Sequence, residues 1–67
     1  MIFMFEPLLI DEVLASDALS IRPTQLRRMV ARGLVPCKLL PTGEKRFDPA
    51  ELRLWVSRLQ HADAVPA

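Results

Sequence analysis

Cys37 is the only cysteine in a chain of 67 residues, and those two facts together limit the fold more than any motif does. No internal disulfide can form, so the staples that stabilise small secreted domains are not available. A chain this short buries only about 60% of the surface its unfolded form exposes, which leaves room for one small core. Two-lobed enzymes, doubly wound nucleotide folds and closed barrels do not fit. One cysteine and one histidine, His61, are also too few for a structural zinc site. Hydrophobic residues make up 51% and charged residues 25% of the chain. That is a folded rather than a disordered profile, so the core must come from aliphatic packing.

The punctuation of the chain places three helices and a hairpin. Asp11 offers an N-cap, Glu12 suits the positive end of a helix dipole, and Leu14, Ala15, Ala18 and Leu19 form a stripe at helical spacing. A first helix over 12–19 is expected. After the break Ser20-Ile21-Arg22, Pro23 is tolerated in the first turn of a second helix. Leu26, Met29 and Val30 recur on its inner face, and Gly33 suits its C-terminal cap. Two helices joined by so short a break read as a helix-turn-helix unit, a motif with a defined use on DNA. Lys38-Leu39-Leu40 and Lys45-Arg46-Phe47 flank a Pro41-Thr42-Gly43-Glu44 turn, so a small basic β-hairpin follows. Asp48 then caps a third helix, with Pro49 at its first position and Glu51 placed to reach back to the cap's N–H. Phe47 and Leu52 form a hydrophobic staple, and Leu52, Trp55, Val56 and Leu59 make the core stripe of a helix running to Leu59 or Gln60. Trp55 reads as a core anchor, because its neighbours on that face are aliphatic.

These elements divide the chain into an apolar N-terminal arm (1–9), a folded unit (10–60) and a tail (61–67). In the arm, Ile2 and Met4 alternate with Phe3 and Phe5, as a short strand or a covering segment requires. The start lacks the basic flank of a signal peptide, and Glu6-Pro7 breaks its apolar run. No stretch reaches the about 20 consecutive apolar residues of a membrane span, so the cytoplasm is the expected compartment and no membrane partner is expected. No cofactor or catalytic group is expected either, since Cys37 and His61 lack an evident third, orienting group.

Charge is distributed unevenly. The net charge is only +1, which alone does not favour a nucleic-acid partner. Yet Arg22, Arg27, Arg28, Arg32, Lys38, Lys45 and Arg46 stand against Glu44 alone in the middle of the chain, a net +6, and the flanks carry −5. Such polarity is the electrostatic footprint of a phosphate-binding surface.

Leu8-Leu9-Ile10-Asp11-Glu12-Val13, Arg22-Pro23-Thr24-Gln25-Leu26-Arg27-Arg28, Arg32-Gly33-Leu34-Val35-Pro36 and Gly43-Glu44-Lys45-Arg46-Phe47-Asp48 resemble, in order and spacing, the small winged helix-turn-helix proteins of the excisionase and MerR-like family. The resemblance spans roughly residues 8–59. It implies a mainly α fold of three helices plus a β-hairpin wing, and double-stranded DNA as the partner. Three positions depart from the family's pattern: Ser20 replaces a frequent glycine, Arg22 a capping Ser or Thr, and Met29 a frequent aromatic. The resemblance implies an excisionase (a recombination directionality factor) working with an integrase, or a short MerR-like transcription regulator. An adaptor that docks on a protein through the same fold is the reading from another class. The chain's ending after the third helix tilts the expectation towards the excisionase.

With Leu26, Met29 and Val30 turned inward, the second helix offers Thr24, Gln25 and Arg28 to base edges in a major groove. Gln suits adenine and Arg suits guanine there. Arg22, Arg27, Arg32, Lys38, Lys45 and Arg46 are the expected phosphate contacts, which position a protein without reading sequence. So small a reader needs several copies for useful specificity, and acidic Asp11, Glu12 and Asp17 are placed to meet a neighbour's basic wing.

Overall fold

Asp11 opens the first helix, α1 (Glu12–Leu19), by accepting the Leu14 N–H on its carboxylate at 2.9 Å. The structure, a computed structural model, describes residues 7–62; most of the expected arm and the end of the expected tail therefore lie outside the described residues. α1 closes on two crossing bonds, Ser20 N–H to Asp17 O at 3.1 Å and Ile21 N–H to Ser16 O at 3.0 Å. This is the Schellman pattern, and it puts Ser20 in the left-handed region at φ 60°. The serine therefore adopts the conformation for which glycine is the usual residue.

α2 (Pro23–Ala31) starts with its proline at the first helical position, after an extended Arg22. Gln25 Oε1 accepts the Arg22 N–H at 3.2 Å, so one half of a capping box is present although Arg22 itself cannot cap. The helix ends in a second Schellman pattern, Gly33 N–H to Val30 O and Leu34 N–H to Met29 O, both 2.9 Å, with Gly33 at φ 69°. α1, a turn and α2 thus follow one another as expected.

β1 (Lys38–Leu39) and β2 (Lys45–Arg46) pair antiparallel, Lys38 opposite Arg46 and Leu39 opposite Lys45. Gly43 N–H returns to Leu40 O at 2.9 Å, and Leu40 N–H donates to Glu44 O at 2.8 Å. Pro41 thus occupies the second turn position, and Gly43 supplies the positive φ, 96°, that closes a three-residue loop. Beyond β2, Phe47 exchanges both backbone hydrogen bonds with Ile10, each 2.8 Å. The base of the hairpin is therefore tied to the strand-like entry of the chain.

α3 (Pro49–Ser57) follows Asp48, whose Oδ1 accepts the Ala50 N–H at 2.9 Å. Two expectations fail here. Glu51 does not reach back to the cap; its carboxylate faces Lys38 across the hairpin, Oε2 to Nζ 3.0 Å, because an ammonium is a stronger partner than a backbone amide. The helix also stops at Ser57 rather than Leu59 or Gln60. Arg58 and Leu59 N–H groups donate to Trp55 O and Val56 O, the tighter spacing of a last turn, and Leu59 is half exposed rather than in the core.

Ala15, Leu26, Val35, Phe47 and Leu52 form the core, with Ile10, Leu19, Ile21, Met29, Val30, Cys37 and Trp55 packed around it. α2 buries its expected face. α1 does not: Leu14 is half exposed and Ala18 exposed, while Ser16 is fully buried beside Ala15. Ser16 Oγ–H donates to Val13 O at 2.9 Å, so its polar atom is satisfied without water. Trp55 caps the core from its edge rather than from within, bordering an apolar trough with Ile21, Met29, Leu34, Val56 and Leu59. The result is a small, mainly helical fold with a two-stranded hairpin, an arrangement compatible with a winged helix.

Leu26 is 0% exposed. Its replacement by alanine is expected to lower unfolding free energy by about 2–5 kcal/mol, read from urea unfolding monitored by circular dichroism. Ser20→Gly is expected to raise stability by about 0.5–1 kcal/mol in the same measurement, since the left-handed residue then carries no Cβ.

Candidate functional site

The outer side of α2 is open. Thr24, Gln25, Arg28, Ala31 and Arg32 are all exposed, and spacings of three and four residues align them along one face of the helix. Nothing among the described residues covers this row. The fold thus brings the expected base-reading residues Thr24, Gln25 and Arg28 together, with Arg32 one turn beyond. Gln25 is not free, however, because its carbonyl oxygen holds the Arg22 amide.

The basic stretch is less positive in space than along the chain. Arg27 grips Glu12 of α1 with two bonds, Nε to Oε2 at 2.8 Å and Nη2 to Oε1 at 3.0 Å. Lys38 meets Glu51 at 3.0 Å, and Arg46 meets Glu44 at 3.6 Å. Lys38 and Arg46 stand directly opposite in the hairpin, where like charges repel, and each has its own carboxylate to offset that. Asp11, Glu12, Arg27, Glu44, Lys45 and Arg46 border one open cleft between α1, α2 and β2, and their formal charges cancel. Four cations of the stretch, Arg22, Arg28, Arg32 and Lys45, have no carboxylate partner among the described residues. Three lie at or on α2 and the fourth on the exposed edge of the hairpin.

The ion pairs shift protonation in the directions their geometry requires. The Arg27 guanidinium, hydrogen-bonded to Glu12, holds that carboxyl below its ordinary value, and Glu12 in turn holds Arg27 above its own. Lys38, donating to the Glu51 carboxylate, is held above its ordinary value. All of these groups lie at the surface, so each pair contributes little to stability and is readily exchanged for another anion.

Glu12, Glu44 and Glu51 are the residues that sequence reasoning missed as partners of the cations. Glu12 is fifteen positions from Arg27, and no local spacing announces such a pair. The acidic α1 residues expected to meet a neighbouring molecule are mostly engaged within the chain: Asp11 caps, Glu12 binds Arg27, and only Asp17 stands exposed without a partner among the described residues. Among the described residues no helix is long and apolar enough to cross a membrane. Comparison of the chain with protein-family models, curated protein sequences and solved structures found no match.

Because the folded carboxyl of Glu12 titrates lower than it does unfolded, its contribution to stability is full above the unfolded value and is lost as pH falls through the folded one. Unfolding midpoints measured from pH 7 down to pH 3 are therefore expected to drop more steeply for the native chain than for Glu12→Gln. Parallel curves would remove the Arg27 pair from the account.

Proposed function

We propose that the chain is a double-stranded DNA-binding protein of winged helix-turn-helix type. In this reading α2 lies in the major groove and the β1–β2 hairpin lies as a wing along the phosphate backbone. The observation that carries the reading is the uncovered row Thr24, Gln25, Arg28 and Arg32 on α2, beside which Arg22 and Lys45 also lack a carboxylate partner among the described residues, as do Arg53 and Arg58 at α3. A major groove about 12 Å wide admits one helix presenting such a row. The hairpin, tied at its base by the Ile10–Phe47 pair, carries Lys45 exposed to solvent, which suits a contact with a phosphate.

A binding rather than a catalytic role is supported by what the carboxylates do. Asp11 and Asp48 cap helices, and Glu12, Glu44 and Glu51 hold cations, which leaves Asp17 as the one described acid without a task. Within the DNA-binding class the motif likeness fits an excisionase acting beside an integrase and a short MerR-like regulator alike; the presence of an integrase gene next to its own separates the two. The apolar trough beside Trp55 favours a second reading, a protein-docking adaptor, and absence of binding to any duplex at low salt would favour it.

Fluorescence anisotropy with a labelled duplex across a salt series tests the main reading. Of the expected phosphate contacts, Arg22, Arg32 and Lys45 are unpaired, so log K is expected to fall against log[salt] with a slope of about −2.7, at about 0.9 per contact. The full count of six contacts that sequence suggests would give about −5.4. Releasing Arg27 by Glu12→Gln is expected to steepen the native slope by about 0.9. A slope near zero contradicts the reading.

Arg28→Ala is expected to cost about 1–3 kcal/mol and to relax preference at one base pair, whereas Lys45→Ala weakens all sequences alike. Competition between specific and random duplexes separates the two effects. An Arg28→Ala protein with unchanged affinity and preference would show that the reading face lies elsewhere.

A further inference from the structure

α3 carries apolar side chains that the described residues leave open. Val56 and Leu59 are 45% and 51% exposed. With Ile21, Met29, Leu34 and Trp55 they border a trough of about 610 Å³. A second hollow of about 380 Å³ shares Ala18, Leu19 and Val56 with the trough and continues past Ile10 and Pro49 to Arg53. Together they make one apolar path along α3, open to water and therefore unfavourable unless something covers it. The observations name a cover. The Ile10–Phe47 pairing is antiparallel, so the chain before Ile10 starts out alongside Asp48 and Pro49, at one end of the path. A bend at Leu8 and Leu9 leaves Leu8 88% exposed, so a covering contact has to come from residues before it. Residues 1–6 hold Met1, Ile2, Phe3, Met4 and Phe5, with Glu6 as their one charged side chain. Six extended residues reach about 20 Å, and Pro49 to Leu59 spans about 15 Å at helical rise. Arg53, beside the start of the path, has no carboxylate partner among the described residues, and Glu6 supplies the opposite charge.

We infer that residues 1–6 of the same chain lie in this path, with the Phe3 and Phe5 rings against Val56 and Leu59 and the Glu6 carboxylate beside Arg53. In an extended segment Phe3 and Phe5 share one side, and aromatic rings bury the most area per residue. The tether at Ile10 gives the segment an effective concentration on the order of millimolar at its own trough. The same segment from a second copy would lose translational and rotational freedom on docking, which favours the chain's own. The inference goes beyond the DNA-binding reading and does not rest on it. It closes the apolar side of the fold, so a protein partner at the trough has to displace the arm, and it leaves the outer face of α2 untouched.

Trp55 is the one tryptophan of the chain, and there is no tyrosine, so indole fluorescence of the whole protein reports on the trough. The test compares the native chain with the double variant Phe3→Asp, Phe5→Asp. The variant is expected to emit at longer wavelength and to be quenched more by acrylamide, with its helical circular dichroism unchanged. Glu6→Arg is expected to shift the emission in the same direction, and adding Arg53→Glu to it to bring the emission back. A second measurement needs no variant. In the unaltered chain, at a dilution where sedimentation shows a monomer, nuclear Overhauser contacts are expected between the rings of Phe3 or Phe5 and the methyl groups of Val56 or Leu59. Equal emission and quenching in the native chain and the double variant, or no such contacts in the native chain, overturns the inference. Contacts found only between differently labelled copies overturn it in favour of a second copy's segment. None of these results bears on DNA binding, which the salt series tests by itself.

Discussion

Phe47 holds this small fold together. Its backbone exchanges two hydrogen bonds of 2.8 Å with Ile10, its side chain is 2% exposed, and it immediately precedes the Asp48 cap of α3. One residue thus fastens the entry of the chain, the base of the hairpin and the start of the last helix to the same core. A two-stranded hairpin is marginal in water unless it packs against something, and here the packing is supplied by Phe47 on one end of β2. Without it the base of the hairpin would lose its attachment to the core.

What the core leaves outside matters as much. Leu26 faces wholly inward, which by helical geometry turns Thr24, Gln25, Arg28 and Arg32 away from the protein. Three of the neighbouring cations are tied to carboxylates at 2.8–3.6 Å, so the surface is not a uniform positive field. It is a row of unpaired cations bordered by ion pairs that an incoming anion can exchange.

Much of this could be read from the sequence, and the reason is local. Pro49 after Asp48, Gly33 after Val30 and the Pro41–Gly43 turn each act through bonds spanning a few residues, so each announced its element at or near its true boundary. Ser20 was harder: a serine in the left-handed conformation is tolerated rather than encoded, and only the second Schellman bond from Ile21 shows that the turn closes as glycine would close it. The rest was set by packing. Ser16 replaced Leu14 and Ala18 on the buried side of α1, because its hydroxyl finds Val13 O within its own helix. Glu51 gave up a local cap for Lys38, and Glu12 found Arg27 on another helix. These choices depend on how α1, α2 and the hairpin meet, and no periodicity along the chain records that. The candidate reading face was legible, but the state of its side chains, above all the captured oxygen of Gln25, was not.

The most direct test of the central claim, that α2 and the hairpin form one DNA-facing surface, is an amide-resolved NMR titration of the isotope-labelled chain with a short duplex at low salt. The account predicts that shifts concentrate at the amides of 24–32 and 43–46, while the Trp55 indole and the end of α3 stay in place. Shifts confined to the trough around Trp55, or none at saturating duplex, would contradict it.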